Sequence, residues 1–257
     1  MNEPRRQPSP GEKPALVIAL LFPVVAAYFY FVVAGESTWL RSIYAVSKVV
    51  QFGFPVAWMA WAEGRQALRS LMHLPAAGVS GHTPGSTARP LAGLPAGLAT
   101  GLLMAGGLAG AYALVLRGGE LMAAMAPRII ARIDSIGAAT PVRYLLLALF
   151  LSILHSWLEE YYWRGFVFAR LRRRLGSVAA VVVSSLGFAA HHVIVLDAFL
   201  GPQHRGTTVM FSLVVAAAGA LWAWLYVKNR SLLSPWLSHL CVDIAIMAVG
   251  YDLAWGM

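Results

Sequence analysis

The chain has 257 residues, of which 59% are hydrophobic and only 12% are charged. A soluble domain usually carries about 25% charged residues, so a water-surrounded globular core is set aside in favour of a membrane-embedded single domain. The formal charge of +9 comes mostly from basic residues flanking apolar blocks, as lipid headgroups and topology signals require; no aromatic-interleaved basic face points to nucleic acid.

Seven apolar blocks run along the chain, at 14–34, 40–61, 91–116, 143–163, 177–199, 207–227 and 233–254. About 20 residues at 1.5 Å each cross a hydrocarbon core of about 30 Å, and only helices satisfy the backbone there. The expected fold is therefore all-α, a polytopic transmembrane helix bundle of about seven spans. Within it, 1–140 supplies N-terminal helices and loops, and 141–257 is the core that carries the chemistry.

The first block contains 20 uncharged residues from Ala15 to Ala34. That exceeds the apolar region of a signal peptide, so it reads as a retained span. Lys48 is alone in the second block and is expected to snorkel. The connection 62–90 is polar and turn-rich, an exposed loop. In the third block, Gly97 and Gly101, then Gly106 and Gly110, are small residues at four-residue spacing, which lets helices pack closely in lipid. The stretch 118–135 interleaves apolar residues with Glu120, Arg128, Arg132 and Asp134, and suggests an extra interfacial amphipathic helix. Arg170 and Arg172 to Arg174 read as headgroup anchors. Placing the N-terminus inside and alternating puts twelve basic residues in inside segments and six in outside ones. That ratio favours a cytoplasmic N-terminus. Arginine, alanine and glycine usage suggests a bacterial cytoplasmic membrane. Cys241 is a lone cysteine with no internal disulfide partner.

Ionisable groups in apolar spans are costly and usually face a bundle interior or a cavity. Here they cluster late: His155, Glu159, Glu160 and Arg164 in the fourth block, His191 and His192 in the fifth, His239 and Asp243 in the seventh. Glu159 lies 16 residues before a turn near Leu175 and His192 17 after it. Both therefore sit roughly 24–26 Å along their helices from that turn. His239 and Asp243 lie roughly 15 and 21 Å from the next turn, near Asn229. An antiparallel arrangement brings all four to a similar level. Glu160 and Arg164, four residues apart, form an expected ion pair, which gives Glu160 a partly structural job within a candidate active site of Glu159, Glu160, His192, His239 and Asp243. Glu159 points about 100° away and shares a face with His155, which reads equally as a supporting residue or a helix–helix contact. His191 points away from the face of His192 and reads as a packing or polar-contact residue. Trp157, Tyr161, Tyr162, Trp163 and Trp222 read as interface or core aromatics.

Three motifs stand in order on these late spans: Glu159-Glu160-Tyr161-Tyr162-Trp163-Arg164 fits E-E-x-x-x-R, Phe188-Ala189-Ala190-His191-His192 fits F-x-x-x-H, and His239-Leu240-Cys241-Val242-Asp243 fits H-x-x-x-N/D. Over roughly 143–250, the chain resembles the CPBP family of CAAX proteases and bacteriocin-processing enzymes. The resemblance implies glutamate-type hydrolysis of a peptide bond in the membrane. Glu159 and His192 would activate water, His239 and Asp243 would steady the oxyanion, and Arg164, Phe188 and His155 would support them. An ionised Asp243 would repel an oxyanion, so orienting the His239 imidazole suits it better. No cofactor is expected. The substrate is a peptide or protein in the bilayer. Rival readings are a zinc-dependent membrane hydrolase, a proton-coupled transporter, and a non-catalytic immunity or scaffold protein.

Overall fold

The computed structural model describes residues 11–33, 38–64 and 93–256, and the regular structure among them is entirely helical. In chain order the helices are α1 (Glu12–Val33), α2 (Thr38–Ala62), α3 (Leu94–Leu116), α4 (Glu120–Ser135), α5 (Pro141–Leu175), α6 (Ser177–Leu200), α7 (Pro202–Asn229) and α8 (Leu233–Gly256). All but α4 are long and apolar enough to cross a membrane, α2 through its stretch Ser42–Ala62. The outer surface agrees: Val49, Leu103, Leu114 and Val178 are 74–86% exposed. Against water, each would cost about 25 cal/mol per Å² of apolar area; lipid removes that cost. The protein is an all-α integral membrane bundle.

The fourth span is the main departure from the expected boundaries. It was expected to end near residue 163 and instead continues to Leu175, giving 35 residues. Arg164 and Arg170 ended the apolar count, but both are buried with partners inside the bundle, so neither interrupts the helix. Thr140 caps the start by accepting from Arg143 N at 3.4 Å, with Pro141 in the first turn. Gly176 separates α5 from α6 in a single residue at φ 80°, a conformation available to glycine without a Cβ clash. That tight hairpin sets the registry between the two motif-bearing helices.

The basic turn does not splay outward as headgroup anchors would. Arg170 donates to Glu63 at 2.9 Å and lies over the rings of Trp58 and Phe166. Arg174 donates to Glu12 at 2.8 Å, and Arg173 lies within 3.5 Å of both glutamates. These pairs fasten the start of α1 and the end of α2 to the end of α5. The aromatic core above them joins Tyr162, Trp163, Phe166, Phe168, Phe188 and Trp222 to Ala15, Leu16, Ala19, Trp58 and Met59. Tyr162, Trp163 and Trp222 are thus core residues, not interface ones.

Close packing by glycine holds for half of the expected pattern. A Cβ on Gly97 would strike the Ser234 backbone, and one on Gly101 would come within 2.8 Å of Ser238 Cα. These two glycines let α3 lie directly against α8. Gly106, Gly107 and Gly110 meet nothing within 4 Å. The helix expected over 118–135 is present as α4, with Met122, Ala126 and Ile133 inward and Arg132 over Tyr30 and Phe31 of α1. Beyond Gly64, the expected loop at 62–90 lies outside the described residues, as do Arg5 and Arg6.

Candidate active site

Helix α5 is not uniformly α. Its backbone opens into wide π-type turns at Phe150–His155 and Tyr161–Phe168, leaving Ser156–Glu160 as a short α segment between them. Such turns often mark functional sites, because they re-aim side chains and free carbonyl groups. The Ile153 carbonyl accepts Trp236 Nε1 of α8 at 3.0 Å, and Ser156 Oγ donates to the Ser152 carbonyl at 2.5 Å. The motif glutamates therefore sit on a segment pinned to the neighbouring helix.

Glu160 is completely buried. Its Oε1 takes two partners, Arg164 Nη1 at 2.9 Å and His239 Nδ1 at 2.8 Å. Arg164, itself 2% exposed, donates from Nη2 to the Gly219 carbonyl of α7 at 3.0 Å and lies over Phe188 and Trp222. One ion pair thus reaches three other helices: α8 through His239, α7 through Gly219, α6 through Phe188. The imidazole of His239 is also stacked on Trp222, with centroids 4.0 Å apart and planes at 18°, while Trp222 Nε1 donates to Ser238 at 3.1 Å. Its ring orientation is held from the edge and from the face.

The other nitrogen of that ring turns toward Glu159. His239 Nε2 is 3.9 Å from Glu159 Oε2 and 3.6 Å from Asp243 Oδ1. Both separations exceed direct hydrogen-bond contact, so Glu160, and not Asp243, makes the tight bond to His239. Glu159, 4% exposed, also has His155 Nε2 at 3.9 Å and His191 Nε2 at 3.8 Å from its Oε1. His192 stands beside His191, with ring centroids 4.1 Å apart, and its Nδ1 lies 2.9 Å from the Phe188 carbonyl. Donation to that carbonyl leaves Nε2 of the neutral ring as an acceptor.

The structure therefore brings together Glu159, Glu160, His239 and Asp243, with Arg164 and His155 in contact and Phe188 packed against His192, His239 and the Arg164 guanidinium. His192 borders the same cluster through His191. The polar contact of His191 is with Glu159, at ion-pair distance, which places at the site a residue that the motif pattern left outside it. Helical spacing sets adjacent residues about 100° apart, but a centre enclosed by α5, α6 and α8 is wide enough for both histidines of the doublet to border it. The doublet itself was the available signal.

Residues 141–245 match the family model described as type II CAAX prenyl endopeptidase Rce1-like. This part of the chain is similar to the CAAX-protease family. The matched segment runs from the start of α5 to two residues past Asp243, and so contains all three motifs. No curated protein and no solved structure matches the chain. The CAAX-protease family is a membrane-protease family, and the chain is an enzyme of that class. Among the described residues, no three His, Cys, Asp or Glu side chains form a group that could hold a metal ion.

Proposed function

We propose that this CAAX-protease relative hydrolyses a peptide bond in a membrane-associated protein or peptide, using Glu159 and His192 to activate water. The observation that carries the reading is the two-sided hold on His239: Glu160 binds its Nδ1 while its Nε2 faces Glu159. Glu159 acts as the base that takes a proton from water. The acceptor nitrogen of His192 orients the same water, its tautomer held by the Phe188 carbonyl. Attack on the amide carbon converts the carbonyl to an oxyanion, for which preorganised donors are required. His239 in its imidazolium form donates from Nε2. Glu160 and Asp243 balance that positive charge, and Arg164 in turn balances Glu160. Collapse of the intermediate needs a proton on the leaving amine, which Glu159 returns.

The proposed setting is a bacterial cytoplasmic membrane with the N-terminus inside, supported by the twelve-to-six distribution of basic residues. No cofactor takes part in the proposed mechanism. The deciding experiment is cleavage of membrane-inserted peptide reporters by purified protein, with and without chelator, comparing wild type with Glu159→Ala and His192→Ala. Cleavage lost in both variants and retained in chelator supports the mechanism. Cleavage that survives Glu159→Ala overturns it, and loss on chelation that zinc restores replaces it with metal-assisted hydrolysis.

A further inference from the structure

The cations of α5 that the structure buries have carboxylate partners: Arg164 has Glu160, and Arg170 has Glu63. Lys48, in the middle of α2, has none in contact and feels only the more distant charge of Glu159. Among the described residues no carboxylate lies within 4.0 Å of its ammonium, and its one hydrogen bond is to Gln51 Oε1 at 3.2 Å. An ammonium has three donors. Lys48 was expected to snorkel, but its neighbours place it on the inward stripe of α2. Gln51 is 1% exposed, whereas Val46 and Val49 on the opposite side are 61% and 74% exposed. Lys48 Nζ lies 5.3 Å from the Tyr44 ring and 5.9 Å from the Phe52 ring. Phe52 in turn packs edge-on against His155, with centroids 5.9 Å apart, and His155 is the neighbour of Glu159. The cation therefore stands beside the candidate active site, separated from it by two rings.

A second unmatched donor adjoins it. Gln51 Nε2 is buried and has no hydrogen-bond partner, and Gln51 lines a small cavity with Ile18, Phe22, Val50, Phe54 and Tyr162. An intramembrane ammonium and a buried amide, each with donors to spare, are costly unless an acceptor completes them.

We propose that Lys48 and Gln51 form a subsite for a carboxylate of the substrate, placed so that the scissile amide lies over Glu159. The proposal rests on the proteolytic reading and names the substrate feature that the site selects. The carboxylate is either the free C-terminus of the peptide or an Asp or Glu side chain near the cleaved bond; Lys48 supplies the charge and Gln51 an additional hydrogen bond.

The test separates binding from cleavage. Three dansylated Leu/Ala peptides are titrated against purified Glu159→Gln protein: one with a free C-terminal carboxylate, its C-terminal carboxamide twin, and a carboxamide with a single internal Glu. The same titrations are repeated with Lys48→Met and Lys48→Arg in that background. A charge-assisted hydrogen bond predicts about tenfold tighter binding of one carboxylate peptide over the plain carboxamide. Which of the two binds tighter distinguishes the C-terminus from a side chain. The preference disappears in Lys48→Met and returns in part in Lys48→Arg. Equal binding of all three peptides, binding of none, or a preference unchanged in Lys48→Met overturns the proposal. Cleavage by the wild-type protein is scored separately: a carboxylate preference without any cleavage would leave the subsite standing and remove the proteolytic reading.

Discussion

Glu160 and His239, 79 residues apart, meet at 2.8 Å across the interface of α5 and α8, and Arg164 binds the same carboxylate oxygen at 2.9 Å. A buried carboxylate shared by a histidine and an arginine has a structural and a chemical consequence, and substitutions can separate them. Removing one member of a buried pair leaves an unpaired charge, which costs about 3–5 kcal/mol, whereas replacing both members with apolar residues of similar size is often neutral. Glu160→Leu should therefore lower the thermal midpoint in detergent sharply. Glu160→Leu combined with Arg164→Met should recover much of the stability, yet remain inactive in reporter cleavage because His239 has lost the group that orients it. Recovery of cleavage in the double variant would show that Glu160 serves the fold alone.

The histidine doublet makes a second, graded prediction. His192 has its Nδ1 on the Phe188 carbonyl and a lone pair free on Nε2, whereas His191 lies 3.8 Å from Glu159 and parallel to Trp163. His192→Ala should reduce kcat by about 10²-fold, as expected when the water that Glu159 deprotonates loses the group that orients it. His191→Ala should cost less, with KM little changed in both. If His191→Ala is the more damaging, the two roles must be exchanged.

Glycine positions on α3 should respond unequally. Gly97 and Gly101 lie against α8 with no room for a side chain, while Gly106 and Gly110 have open space. Gly97→Leu or Gly101→Leu should destabilise the protein by about 1–3 kcal/mol, the usual cost of overpacking, or more where backbone must move. Gly106→Leu and Gly110→Leu should leave the melting profile in detergent close to that of wild type. Equal losses at all four positions would contradict the observed α3–α8 contact.

At the other end of α5, Arg170 is 4% exposed and bound to Glu63. Glu63→Ala should cost on the order of 3 kcal/mol, as expected when a buried arginine loses its partner. Salt should change that loss little, because buried pairs are weakly screened. A loss that vanishes at high ionic strength would mean that the pair is open to solvent.

Much of the fold was legible in one dimension. Bilayer thickness sets span length, and backbone satisfaction requires helices, so seven apolar blocks implied seven spans before any packing was known. The Glu160–Arg164 pair was legible for a similar reason: it lies within one helix, where a four-residue spacing brings side chains together. Equal depth along successive helices also pointed to a common level for Glu159, His192, His239 and Asp243, of which Glu159, His239 and Asp243 come together and His192 borders them through His191. The length of α5 was less legible, because composition counts a charged residue as a break and cannot see the carboxylate that neutralises it from another helix.

What the sequence determined by itself is thus the membrane bundle, the three motifs and their common depth, since each depends on local spacing and on the bilayer as solvent. Only the tertiary structure decided that Glu160 binds His239 more tightly than Asp243 does, that His191 borders Glu159, and that Lys48 faces inward beside His155's neighbour Phe52. Those contacts depend on the rotation of each helix about its own axis. That rotation is set by π-type turns, glycine contacts and interhelical hydrogen bonds, and a one-dimensional pattern does not encode it.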